Sequence, residues 1–188
     1  MTSESKPTPG TTGSERSQLP DYWAFVETAQ RRIAEELPGA DLGANRVFLS
    51  LNRASSTVTY DFESSIHRPN GLTWPGFRLL LVLWVTGGLP PLQTARISGM
   101  SKAAVSSLVN TLVGKDLVER AASEHDGRSV TLRLTPHGSS TLRTALKAQN
   151  EREAQWAGVL SKTEQETLSN LLEKVMSQRQ IINASERR

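Results

Sequence analysis

Apolar residues recur at steps of three and four through Tyr22, Val26, Ala29, Ile33 and Leu37, and Pro38-Gly39 then breaks the series. That spacing lines one face of a helix and predicts a first amphipathic helix. A second series, Val47, Leu51, Ala54, Val58, Phe62 and Ile66, runs up to Pro69-Asn70-Gly71. It predicts a helix of about six turns, a length suited to an interface or a scaffold. Thr73 predicts the cap of a third helix, with Pro75 in its first turn, Phe77, Leu80, Leu81 and Trp84 along its buried side, and Gly87-Gly88 at its end. Its apolar run, Leu79 to Val85, is far shorter than the roughly 20 residues of a membrane span, so a fully buried core helix in a soluble chain is expected.

The pattern then shortens. Pro90 to Ile97 predicts a short helix, Ser98-Gly99-Met100 a turn, and Ser101 the opening of a helix that turns Val105, Leu108, Val109, Leu112 and Val113 inward. Val118 to Ala122 and Ser129 to Leu134 read as two strands around a polar loop, with Val130, Leu132 and Leu134 on one face and Ser129, Thr131 and Arg133 on the other. Long helices return after Thr135-Pro136, where Thr caps free backbone N–H groups and Pro has none to leave unpaired; this helix should reach about Trp156. Ser161 and Glu164 have capping-box spacing ahead of a last helix carrying Leu168, Leu171, Leu172, Val175 and Met176.

This order predicts a mainly α fold with a small β-hairpin wing: a winged helix-turn-helix flanked by N- and C-terminal dimerisation helices. The expected divisions are a disordered Ser/Thr/Pro/Gly-rich tail at 1–19, N-terminal helices at 20–71, a DNA-binding domain at 72–135, C-terminal dimerisation helices at 136–184 and a polar tail at 185–188.

Composition narrows the function. A hydrophobic fraction of 37% in 188 residues is enough for the core of an ordinary domain, and a net charge of +3 permits attraction to polyanions without demanding it. Around the hairpin, Arg96, Lys102, Lys115, Arg120, Arg128 and Arg133 outnumber Asp116, Glu119, Glu124 and Asp126, an excess that a solvated surface also explains. The absence of Cys excludes disulfide scaffolds, cysteine zinc sites, thiol nucleophiles and thiol redox switches, and fits a reducing cytoplasmic setting. The first twenty residues lack the features of a secretory signal. His67, His125 and His137 fall on three elements without metal-ligand spacing, so hydrogen-bonding or surface roles are expected and neither a metal nor another cofactor is. No Gly-rich phosphate loop and no nucleophile setting points to an enzyme.

Small residues at Ala95, Gly99, Ala103 and Ala104 suit a close crossing of two helices, and the start of the second helix would present Ser101, Lys102, Ala103, Ser106, Ser107 and Asn110 to a DNA groove. Lys102 suits phosphate or guanine and Asn110 phosphate or adenine, with phosphate favoured for both. Arg120 reads as structural, pairing with an acid near the base of the wing. Trp23, Trp74, Trp84 and Trp156 all fall on helices, where packing in the core or at a dimer interface is the plain account.

From Leu72 through Gly138 the segments LTWPGFRLLLVL, GLPPLQTARISGMSKAAVSSLVNTLVGKDLVER and HDGRSVTLRLTPHG resemble the MarR family of bacterial regulators. The resemblance implies a homodimer closed by the first two and last two helices, double-stranded DNA as partner, and repression relieved by a small-molecule effector bound between the arms and the DNA-binding lobe. It also implies that Asp126-Gly127-Arg128, matching the family's acidic-x-Arg signature, sends Arg128 into a minor groove while Asp126 steadies it; Gly127 stands where the family often has a second Arg. The first helix, with Trp23 near its start, resembles the extra helix of the urate-responsive subgroup. That subgroup carries an acid where this chain has Arg78, so Trp23 and Trp74 with Arg46 and Arg78 point to an effector pocket for an aromatic carboxylate or phenolate. Two other classes compete: a winged-helix module that docks on a protein without specific DNA binding, and a small-molecule enzyme built on the helical arms.

Overall fold

The computed structural model describes residues 21–122 and 130–178. The chain divides into two compact units, Met1–Ser55 and Ser56–Arg188. In the first unit, helix α1 (Tyr22–Glu36) starts at Asp21, whose carboxylate accepts from the backbone N–H groups of Trp23 and Ala24 at 2.6 and 3.1 Å. Helix α2 (Leu42–Phe62) begins in this unit and ends in the second. Val26 is the buried residue of α1. The Tyr22 hydroxyl donates to the Leu49 carbonyl at 2.7 Å, Gln30 Nε2 donates to Asn45 Oδ1 at 2.8 Å, and Arg53 stacks 5.2 Å from the Tyr22 ring centre.

The predicted second helix has the expected reach but not a uniform winding. After Phe62 it loosens into a π-helical turn, Glu63–His67, and tightens into a 3-10 turn, Arg68–Asn70. Ile66 and His67, in the wider turn, both lie in the interior.

Helix α3 (Trp74–Thr86) starts as the sequence predicts, with Thr73 Oγ1 accepting from Gly76 N–H at 3.2 Å. Phe77, Leu79, Leu80 and Leu83 form the centre of the core. The expectation of a fully buried helix fails at its end. Its last turn runs past the packed region, so Trp84, assigned to the buried side, is 44% exposed and Val85 70%.

Helices α4 (Pro91–Ser98) and α5 (Lys102–Gly114) come next, joined by a turn in which Gly99 has φ +67°, a left-handed conformation that costs glycine little. Strands β1 (Val118–Ala122) and β2 (Val130–Leu134) pair antiparallel, Val118 opposite Leu134 through Ala122 opposite Val130. Leu89 adds a rung on the other edge, exchanging two backbone hydrogen bonds with Leu132 at 3.1 and 2.8 Å. Of the face predicted to turn inward, Leu132 is buried and Leu134 half-buried. Val130, at the far end of the hairpin, is exposed.

Thr135 caps helix α6 (Pro136–Ala157), which lays Leu142 and Ala145 against the core. Helix α7 (Lys162–Ser177) opens with both halves of the predicted capping box, Ser161 and Glu164, and buries no residue. Its Leu168, Leu171, Leu172, Val175 and Met176 form an exposed apolar stripe. The fold is thus mostly helical with one two-stranded hairpin among the described residues. No helix among them is long and apolar enough to cross a membrane.

Candidate nucleic-acid interface

Helix α5 has two faces. Val105, Val109 and Leu112 are buried against α3 and α4, while Lys102, Ala103, Ser106, Ser107 and Asn110 are all exposed. Their steps of three and four keep these five residues on one outward stripe, about 12 Å long from Lys102 to Asn110 at 1.5 Å per residue. Ser101, the sixth predicted contact, is half-buried, and its hydroxyl oxygen caps the helix by accepting from Ala104 N–H at 3.1 Å. Its own O–H remains a donor.

The first turn of α5 contains no acid, and Lys102 sits at its first position. A cation at the positive end of a helix dipole is locally unfavourable, and an anion bound there reverses the sign. Short side chains on both sides of Lys102 allow close approach. The small residues read as a helix crossing divide: Ala95 is buried between α4 and its neighbours, but Ala103 and Ala104 are exposed and belong to the outward surface. A small residue cannot be told from sequence as a packing site or a contact site.

Several contacts fix this surface to the core. Arg78, on α3, donates through Nη2 to the carbonyl of Ser98 at the end of α4, directly before the turn into α5. Lys115 Nζ donates to the Gly71 carbonyl at 2.8 Å. Thr135 Oγ1 donates to the Asp116 carbonyl at 2.6 Å and accepts from Gly138 N–H at 2.9 Å, tying the start of the hairpin to α6. Arg120, on β1, donates from Nη2 to Asn110 Oδ1 at 2.6 Å, so strand and helix meet on the outward surface. The acids of the loop, Glu124 and Asp126, lie outside the described residues, as do Gly127 and Arg128.

The four effector-pocket candidates fall in different units: Trp23 and Arg46 in the first, both exposed, and Trp74 and Arg78 in the second, both half-buried. Trp74 stacks on His67, with ring centres 5.4 Å apart, and His67 stacks on Phe77 at 4.5 Å. His67 is fully buried and shares a 2.9 Å hydrogen bond between Nε2 and Gln149 Oε1; Gln149 Nε2 in turn donates to Glu153 Oε1 at 2.8 Å. That orientation leaves the His67 Nδ1 lone pair buried without a hydrogen-bond partner. Burial pushes the imidazole below its ordinary pKa, against the opposing pull of Gln149 and Glu63.

Sequence reasoning missed a second polar cluster. Arg152 grips Asp61 with two 2.7 Å hydrogen bonds, and Trp156 Nε1 donates to the same carboxylate at 2.7 Å. The Arg152 guanidinium, with help from the Trp156 indole, holds the Asp61 carboxyl down to about 2. Among the described residues no cluster of His, Asp and Glu is placed to hold a metal.

Residues 70–129 match the sequence profile of the MarR family. The chain is 30% identical over 127 residues to the HTH-type transcriptional regulator MgrA of Staphylococcus aureus, spanning 68% of this chain and 85% of MgrA. A probable transcriptional regulator from Pseudomonas aeruginosa superimposes with a TM-score of 0.63 and 32% identity, covering 70% of this chain and 98% of that one. BpsR of Bordetella bronchiseptica, whose DNA binding is regulated by 6-hydroxynicotinic acid, shares the fold at a TM-score of 0.63 and 22% identity, over 70% of this chain and 98% of its own.

Proposed function

Because the chain belongs to the MarR family of helix-turn-helix transcriptional regulators, we propose that it acts as a homodimer that represses transcription by binding a pseudo-palindromic operator through α5. The observation that carries this reading is the outward face of α5: five exposed residues, Lys102, Ala103, Ser106, Ser107 and Asn110, on a helix whose opposite side is locked into the core by Val105, Val109 and Leu112. Short polar side chains reach base edges, and Lys102 at the helix start meets a phosphate. For Arg128 and Asp126, which lie outside the described residues, the family resemblance alone supports a role at an adjacent minor groove.

The exposed apolar stripe on α7, with no buried residue on that helix, supports dimerisation. Two copies related by a twofold axis place their recognition helices in successive major grooves, about 10 base pairs apart. The effector is a small aromatic carboxylate or phenolate, for which Trp74 and Arg78 of the second unit supply an aromatic face and a cation. Arg78 gives this a physical route: an anion that takes its guanidinium competes with the Ser98 carbonyl, which sets the turn leading into α5. Binding then shifts the population toward dimers whose spacing no longer fits the grooves.

A gel-shift titration with the duplex upstream of the protein's own gene tests the reading. A shift resisting competitor DNA, lost on adding salt and weakened by Lys102→Ala, supports it. Equal affinity for that duplex and for unrelated DNA at low salt contradicts it.

A further inference from the structure

The contact between Arg120 and Asn110 bears on how DNA is read, and its meaning rests on the DNA-binding function just proposed. A guanidinium has five N–H donors and no acceptor, so the Asn110 atom 2.6 Å from Arg120 Nη2 is the amide oxygen. The amide is therefore set in one of its two orientations. Its oxygen is held by a charged donor, and its NH2 group is turned away from the guanidinium.

This orientation decides what Asn110 can recognise. The two-point contact of Asn with adenine requires the side-chain oxygen to accept from N6 while the nitrogen donates to N7. The oxygen keeps a second lone pair, but an adenine N6 donor would have to share it with a guanidinium whose positive charge already draws on that oxygen. That weakens the two-point contact and leaves the NH2 group as the freer end of the side chain. Asn110 also stands in the third turn of α5, whereas base edges are met by the first turns of a recognition helix and later turns run beside the sugar-phosphate wall. Arg120 is well placed to hold this state. Its backbone is paired opposite Leu132, a fully buried residue, so the guanidinium reaches out from a strand fixed to the core.

We propose that Arg120 is a positioning residue that fixes the Asn110 amide with its NH2 group as donor to a DNA phosphate and so disfavours its reading of adenine. The hairpin strand and the recognition helix then present a single surface to the duplex, because one side chain from each shares the contact.

The test uses full-length protein and duplexes enriched by it from a randomised pool. Dissociation constants are measured across a salt series for wild type, Asn110→Ala, Arg120→Ala and the double variant. Each single change should weaken binding by about tenfold, and the double change by about the same tenfold, because the two residues act as one. Asn110→Ala should leave the salt slope unchanged and select the same bases as wild type. Losses that multiply to about a hundredfold overturn the proposal. So does a salt slope that falls by about one on removing Arg120 whatever stands at 110, the signature of Arg120 itself on a phosphate. Disappearance of an adenine preference in the Asn110→Ala selection overturns it as well. If wild type enriches no sequence, the DNA-binding function has failed first and takes this role with it; if wild type binds and the losses multiply, the positioning role alone is wrong.

Discussion

The carbonyl oxygen of Leu117 lies 1.9 Å from the place where a β-carbon would stand on Gly138, and the carbonyl carbon only 2.8 Å away. The second residue after Pro136 in α6 thus touches the backbone at the base of the wing, and only glycine permits that approach. Gly138→Ala forces backbone apart in a close-packed region and should cost about 2–4 kcal/mol of stability, seen as a lower urea midpoint. His137→Ala, on the exposed neighbour, should stay within about 0.5 kcal/mol.

His67 predicts a pH dependence. Its folded pKa lies below the ordinary 6.5, chiefly through desolvation, so the unfolded chain binds the proton first. Stability should be full above the unfolded value and decline as pH falls through it toward the lower folded value. Urea midpoints between about pH 7.5 and 5.5 should show this decline in wild type, and His67→Phe, which keeps an aromatic ring between Trp74 and Phe77, should flatten it. An unchanged slope in that variant would assign the titration elsewhere.

Asp61 predicts a second loss, further into acid. Its carboxyl is held at about 2 by the Arg152 hydrogen bonds first and the Trp156 indole second, against an ordinary 3.8. The contribution is present above the ordinary value and is lost as pH falls toward about 2. Arg152→Leu should lower the urea midpoint at neutral pH, and the difference from wild type should shrink in acid. Asp61→Asn should do less in the Arg152→Leu background than in wild type, since the two share one contact.

The α7 stripe predicts assembly. Leu171→Asp places a charge within the exposed apolar row of Leu168, Leu172, Val175 and Met176. Sedimentation should show wild type as a dimer and the variant as a monomer at micromolar concentration, with helix content nearly retained because Leu171 is not part of the core of one chain. A variant that stays dimeric would place the interface elsewhere.

Much of this fold is legible in the sequence because its boundaries are written locally. Thr73, Ser101, Thr135 and Ser161 each precede a helix they do cap, and Gly99 falls in the turn that needs it. The outward face of α5 is equally readable, since burial of Val105, Val109 and Leu112 leaves the other positions outside. The illegible part is long-range. His67 with Gln149, Asp61 with Arg152, and Leu117 with Gly138 meet across the fold, and no spacing rule announces them. Trp84 departs from its expected burial because an apolar helix gives no sign of where the core beneath it ends.

The most direct measurement is selection of duplexes from a randomised pool by the purified protein, with titration of the enriched sequence over a salt series. A DNA-reading α5 predicts a twofold-symmetric consensus with half-sites about 10 base pairs apart, bound by two chains, and a salt slope that falls by about one for each Lys102 replaced by Ala. A pool that stays random at low salt, with Lys102→Ala binding it as well as wild type does, would contradict that central claim.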